Sequence, residues 1–232
     1  MKSLKYVAVL VLLAGFVYGE AIIIQPTSIS YTGTQAEEGS NLDDENNLIN
    51  GNGLSATPLT VDNIDTVTHA TPSFDPPGNA WTTTAPGGPS SDFFASSPGT
   101  VVFEMGFDDT YEIASFYNWS YDFNEGYFNA NNIRTITLDY GVDDYASTLG
   151  TFDLTVPSTH FNATETVLSS TITANQVRIT VTDNFSGVSG FGGGDRVSAA
   201  EFAFETIPEP FSIGLMACFG GLALLLRRRL KS

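Results

Sequence analysis

From Val101 onward, apolar residues alternate with others at a period of two. Val101, Phe103, Met105 and Phe107 form one series. Ile136, Leu138 and Tyr140 form a second, Phe152, Leu154 and Val156 a third, and Val177, Ile179 and Val181 a fourth. Phe202 and Phe204 flank Ala203 in the same way. Successive strand side chains point to opposite faces, so each series predicts a strand with one buried face. Threonine is frequent at the outward positions, as a pleated surface favours. Turn clusters at 141–144 and 186–195 separate the series. No long amphipathic helical period and no internal repeat is visible. Many short strands without helices between them predict an antiparallel sandwich or barrel. Upstream, residues 50–99 are rich in Gly, Pro, Ser, Thr and Asn, which predicts turns and ordered loops. Residues 20–45 read as a polar segment preceding the domain.

The two ends follow a different pattern. Lys2 and Lys5 precede an apolar run from Tyr6 to Val17, and Val17-Tyr18-Gly19 suits cleavage after Gly19. This is the three-part pattern of a secretory signal, predicting a signal peptide over 1–19. At the other end Pro208-Glu209-Pro210 is followed by an apolar run from Phe211 to Leu226, then by Arg227, Arg228, Arg229 and Lys231. The prolines separate the run from what precedes it. As a helix the run spans roughly 24 Å, short for a bilayer, and the arginines act as a membrane stop on the cytoplasmic side. The residues between are expected to be exported.

Charge then narrows the function. Of nine Lys and Arg, only Arg134, Arg178 and Arg196 lie within the stretch from Glu20 to Glu209, which holds all 26 Asp and Glu, a formal charge of −23. Such a body is repelled by nucleic acid, so DNA and RNA are excluded as partners. Cys218, the one cysteine, lies in the tail, so the exported part forms no internal disulfide. Its core rests on packing, for which 17 Phe and nine Tyr supply bulk, or on a metal.

Two family resemblances follow from particular residues. Pro208-Glu209-Pro210, the apolar run and the terminal arginines resemble the PEP-CTERM sorting signal of exported bacterial proteins. That implies an exosortase-type processing protease, transient anchoring in the inner membrane and the company of exopolysaccharide. The body resembles the discoidin, or F5/8 type C, domain. The pieces run in the family order: the 48–55 loop (LINGNGLS), Val101 to Phe107, Ile113 to Tyr121 with Tyr117-Asn118-Trp119, Ile133 to Leu138, Gln176 to Ile179, and Arg196 to Phe204. Asn50 stands where that pattern usually has aspartate, and Asn131-Asn132 replace part of a usually basic turn. This resemblance implies an all-β fold. It would be an antiparallel β-sandwich of the jelly-roll, galactose-binding-like kind over 46–206, between an N-terminal signal helix and a C-terminal hydrophobic helix over 207–232.

The discoidin resemblance also implies one structural Ca²⁺, held by the opening loop through Asn50 and Asn52 and by the closing Glu201. An ordinary glycine-rich turn beside an exposed glutamate is the alternative. Calcium wants six to eight oxygens, and amides in place of carboxylates weaken its binding. For sugar, the chemistry needs an aromatic surface with amides or charges beside it. The loops supply Trp81, Tyr121, Asn124, Tyr127, Phe128, Asn129, Asn184, Phe185 and Phe191. Trp119, within a strand, reads as core, and Trp81 is open between core and sugar contact.

Catalysis finds little footing. His69 and His160 are isolated, and no Gly-x-Ser-x-Gly or His-Glu-x-x-His pattern occurs. Asp108-Asp109 and Asp143-Asp144 read as turn formers rather than the facing carboxylates of a glycosidase. Three Asn-x-Ser/Thr sequences, at Asn118, Asn162 and Asn184, read as chance matches. The reading is a non-enzymatic, exported protein of the bacterial surface or biofilm matrix that binds extracellular polysaccharide. An acidic structural matrix protein is the second reading, and a small glycoside hydrolase the third.

Overall fold

The computed structural model describes residues 20–37, 41–89, 91–95, 99–122, 128–155 and 161–207. The expected signal peptide, the Pro-Glu-Pro motif, the C-terminal apolar run and its arginines lie outside them. No described helix is long and apolar enough to cross a membrane.

Residues Ile22–Ile207 form one compact unit. It is built from strands β1 (Ile22–Ile24), β2 (Ser28–Gly33), β3 (Trp81–Thr82), β4 (Val101–Trp119), β5 (Phe128–Asn129), β6 (Ile133–Gly141), β7 (Ser147–Asp153), β8 (Ala163–Asn184), β9 (Phe191–Gly192), β10 (Ser198–Ala199) and β11 (Glu201–Thr206). A 3₁₀ turn at Glu45–Leu48 is capped by the Asp44 carboxylate, which accepts from the Asn46 N–H. The two strands in residues 20–45 amend the expected boundary. That polar stretch is part of the sandwich, with Ile22 to Ile24 pairing β11 and Ser28 to Gly33 pairing β4.

Two strands are far longer than the five or six residues usual in globular sheets. β4 has 19 residues and β8 has 22. Straight, β4 would run roughly 60 Å. It bends instead, where its pairing with β8 jumps from Gly106–Gln176 to Tyr111–Ala174. Four residues of β4 there oppose one of β8, and such bulges bend strands. Below the jump, Val101 to Gly106 lies between β2 and the end of β8, and β6 and β7 continue that layer. Beyond it, Ile113 to Trp119 lies between β11 and the start of β8, with β1 outside β11. Each long strand thus contributes to both layers.

The core lies between the layers, on the inward positions of the period-two series. Val101, Phe103, Met105, Phe116, Ile136, Leu138, Val177, Ile179, Val181, Phe202 and Phe204 are all buried in it. Phe103 of one layer meets Phe202 of the other with ring centroids 5.6 Å apart, and Phe202 meets Phe116 at 5.3 Å. A second cluster covers the opposite face of β4 and β11. There Leu42, Leu59, Ile64 and Val67, from the Pro- and Gly-rich segment, pack on Tyr117, Trp119 and Ala203. The Trp119 Nε1 donates to Val67 O at 3.0 Å, tying this layer of loops to the sheet.

The ends of the strands define two poles. At one, β4 ends at Trp119, β8 both begins and ends, β6 begins and β11 begins, so residues 120–122, 128–132 and 185–200 meet there. The other pole carries the bend and the β6–β7 turn, where the Asp143 N–H donates to Asn175 Oδ1.

Phe202 fills the middle of the inter-layer aromatic contact, so Phe202→Ala is expected to cost about 3–5 kcal/mol of folding free energy. Urea denaturation followed by tryptophan fluorescence measures it.

Candidate functional site

The loop pole is held together by asparagine side chains. Asn184, fully buried, donates through Nδ2 to Gly194 O at 3.0 Å and to Arg196 O at 2.8 Å, and accepts the Ser186 N–H at 3.0 Å. Asn131 Oδ1 accepts N–H groups from Gly194 and Arg196. Asn132 Oδ1 accepts the Tyr121 N–H, and its Nδ2 donates to Asp122 Oδ1 at 3.1 Å and to Asn129 O at 3.0 Å. The Asp122 carboxylate, fully buried, also takes the Asn129 N–H at 2.9 Å. Short polar side chains suit this work because they bond the backbone of loops that have no ladder partner. Gly194 has φ +101°, and a Cβ there would lie 2.7 Å from Ser186 Cβ, so this clamp admits only glycine.

The clamped segments bring three phenylalanines into one stack. Phe185 and Phe191 lie 4.9 Å apart with planes 9° from parallel, and Phe191 and Phe128 lie 5.4 Å apart at 24°. β5 and β9 pair in parallel at this point, Phe128 opposite Phe191. Phe128 and Phe191 are half-buried, which leaves an apolar surface at the pole. Arg134 sits with Cζ 6.0 Å from the Phe185 ring centroid, and its guanidinium bonds Asp183 Oδ2 at 3.2 Å. Both partners of that pair have side chains 41% exposed. Half-exposed rings beside a wet charged pair can contact the apolar face of a ring and hydrogen-bond its hydroxyls.

This placement revises most of the sequence expectations. Trp81 is buried, its ring 4.6 Å from Tyr31 and 4.9 Å from Phe103, so it is core and offers nothing to a ligand. Tyr121 and Phe185 are buried too, and Asn184 is a clamp whose amide is already bonded. Phe191 is the expected residue that keeps exposed surface, with Phe128 beside it. Asn124 and Tyr127 lie outside the described residues. Arg134 lies in the strand expected from Ile133 to Leu138, and Asp183 carries no signal of its own in the sequence; both stand at strand ends facing a loop.

The opening loop and Glu201 do come together. Glu201 is fully buried, and its Oε1 accepts Gln25 Nε2 at 2.7 Å and the Gly51 N–H at 3.2 Å. Its Oε2 is buried with no hydrogen-bond partner. The alternative of an exposed glutamate is therefore set aside. Asn50 is exposed, and its Oδ1 accepts the Asn52 N–H at 2.7 Å in a local turn, while Asn52 Nδ2 donates to Gly78 O. Glu201 fits as one oxygen ligand of a hard cation, its Oε2 being buried and unpartnered. Among the described residues no group of three or more His, Cys, Asp or Glu is arranged to hold a metal.

His69 braces the same loop. It is buried, with Nε2 3.1 Å from Asn52 O and Nδ1 2.7 Å from Ala70 O. Burial lowers its pKa, while the Ala70 and Asn52 carbonyls work the other way. Gly53, at φ +100°, lies against this ring, where a Cβ would come within 2.7 Å of Cε1.

No protein-family model matches the sequence, and no curated protein matches it. Among solved structures, the C-terminal domain of a chitobiase from Bacteroides fragilis is 19% identical, covering 81% of this chain and 99% of that one, with a TM-score of 0.48. An F5/8 type C domain from the same organism is 8% identical, with coverages of 82% and 99% and a TM-score of 0.48. A family 32 carbohydrate-binding module from C. perfringens, solved with galactose, is 12% identical, with coverages of 80% and 99% and a TM-score of 0.42. At that level of similarity they say nothing of this chain's ligand.

Burial raises the Glu201 pKa from its usual 4.5 to about 8, outweighing the Gly51 and Gln25 donors. The folded protein therefore holds a proton that the unfolded chain releases above pH 4.5. The contribution of this group to stability is fully present below that pH and falls as pH rises toward about 8, at up to about 1.4 kcal/mol per pH unit. Chelator-treated protein melted across this window is expected to show the decline, and Glu201→Gln to flatten it. A second outcome concerns the clamp. Asn184→Ala strands two buried carbonyls and is expected to cost about 1–3 kcal/mol, read by chemical denaturation.

Proposed function

We propose that this protein is a non-enzymatic, exported bacterial protein that binds carbohydrate at the loop pole of its sandwich. The observation that carries the reading is the Phe128–Phe191–Phe185 stack, fixed by buried asparagines and flanked by the Arg134–Asp183 pair. A rigid apolar surface loses little entropy on binding, and adjacent polar groups give orientation. The resemblance of the tail to a PEP-CTERM signal supports processing by an exosortase-type protease. It also supports a surface or matrix location, with extracellular polysaccharide as the ligand in reach. A glycan array probed with the full-length protein in mild detergent is expected to give a defined set of bound sugars. Phe191→Ala is expected to weaken them at least about tenfold, the scale of an aromatic contact worth about 1.4 kcal/mol. Loss of Phe191 without effect on any bound sugar would place the site elsewhere.

A structural Ca²⁺ at Glu201 belongs to the same proposal. Glu201 and oxygens of the 50–52 loop, with the Asn52 amide first among them, would hold it, and the ion would lock the opening loop to β11. The unpartnered, buried Glu201 Oε2 supports this reading. Added Ca²⁺ is expected to raise the melting temperature of wild type at pH 8 and to leave Glu201→Gln unchanged.

A further inference from the structure

Every cation described in the body already has a partner. Arg134 is bonded to Asp183, Arg196 to Glu37, and Arg178 to Asp139 through Nε at 3.1 Å and Nη2 at 2.7 Å, with Glu104 at 3.8 Å. No lysine lies between Lys5 and Lys231. His69 is buried, bonded through both ring nitrogens to backbone carbonyls, and His160 lies outside the described residues. The acids are distributed differently: Asp62, Asp65, Asp108, Asp143, Asp153 and Glu165, among others, are exposed.

These facts constrain the ligand of the proposed sugar site. A carboxylate- or sulfate-bearing polysaccharide is ordinarily held by guanidinium or ammonium groups through charge-assisted hydrogen bonds. Here each guanidinium already faces a carboxylate that offsets its charge, so none presents a net positive charge to an anionic ligand. A polyanion approaching the body also meets its formal charge of −23. Arg134 is the cation nearest the Phe stack, and Asp183 neutralises it. Resting on the reading of the loop pole as a sugar site, we infer that its partner is a non-acidic glycan, neutral or amine-bearing. Uronate-rich and sulfated polymers are rejected by the charge of the body.

The test uses the full-length protein and matched hexose, 2-amino-hexose and hexuronate oligomers, in both gluco and galacto configurations. Binding is measured by calorimetry at low and high salt. At about 20 mM salt the hexuronate is expected to bind at least about tenfold more weakly than the hexose of the same configuration, and the amino sugar at least as tightly as the hexose. At about 0.5 M salt the three should converge to within about threefold, because screening removes the long-range term. Asp183→Asn, which frees the Arg134 guanidinium, is expected to recover hexuronate binding selectively. Hexuronate binding equal to or tighter than hexose at low salt, and weakened by Phe191→Ala, would overturn the inference while leaving the sugar site standing. Failure of all six oligomers to bind would instead remove the sugar-site reading, and the inference with it. If Asp183→Asn does not fold, the wild-type ranking alone decides.

Discussion

Strands β4 and β8 belong to both layers at once, and the rest of the molecule is arranged around that fact. Their joint bend sets the distance and angle between the layers, so the core has to fill a space that two continuous backbones have already fixed. The Phe103–Phe202–Phe116 contacts meet that demand with large rings, which bridge the layers where smaller side chains would leave voids. The same bend gathers the free ends of the long strands, with the starts of β6 and β11, at one pole, where the connecting segments have few ladder partners. The asparagine clamps follow from that shortage: loops without a sheet to pair with take their hydrogen bonds from side chains.

The charge distribution fits the same division of labour. On the outer face of one layer, Arg178 lies between Asp139 and Glu104, with its guanidinium 5.0 Å from the Tyr145 ring. Burial pushes the Asp139 carboxyl up, but the Thr148 hydroxyl and the Arg178 guanidinium outweigh it and hold the carboxyl below its usual range. Arginines in this protein fasten segments to one another. The acids that remain solvated set the character of the surface.

Much of the fold was legible because a half-buried strand leaves a period of two that any single sequence displays. Phe103, Ile136, Ile179 and Phe202 could be placed on inner faces from that alone. The continuity of β4 through Phe107 to Thr110 was not, since a bulge disrupts the alternation that would reveal it. Nor were β1 and β2: β1 is only three isoleucines, and the Ser- and Thr-containing β2 resembles a polar leader until its partner is known. The candidate site was read less well. An asparagine in a loop has the same letter whether it faces solvent or clamps two carbonyls, and Asn184 does the second. Trp81 sits among prolines and glycines, yet two residues of pairing with Ser198 and Ala199 draw it into the core. Glu201 meets the opening loop through the Gly51 backbone N–H.

The pairing of Ile22 with Thr206 has a consequence for how the body meets its surroundings. Both ends of the compact unit leave from the pole of the strand bend, where the Ile207 N–H also bonds Glu112 O. The aromatic stack occupies the opposite pole. Within the compact unit, chain entry and exit and the aromatic rings therefore lie at opposite poles, so changes at the two chain ends leave the ring surface unobstructed by the body's own first and last strands.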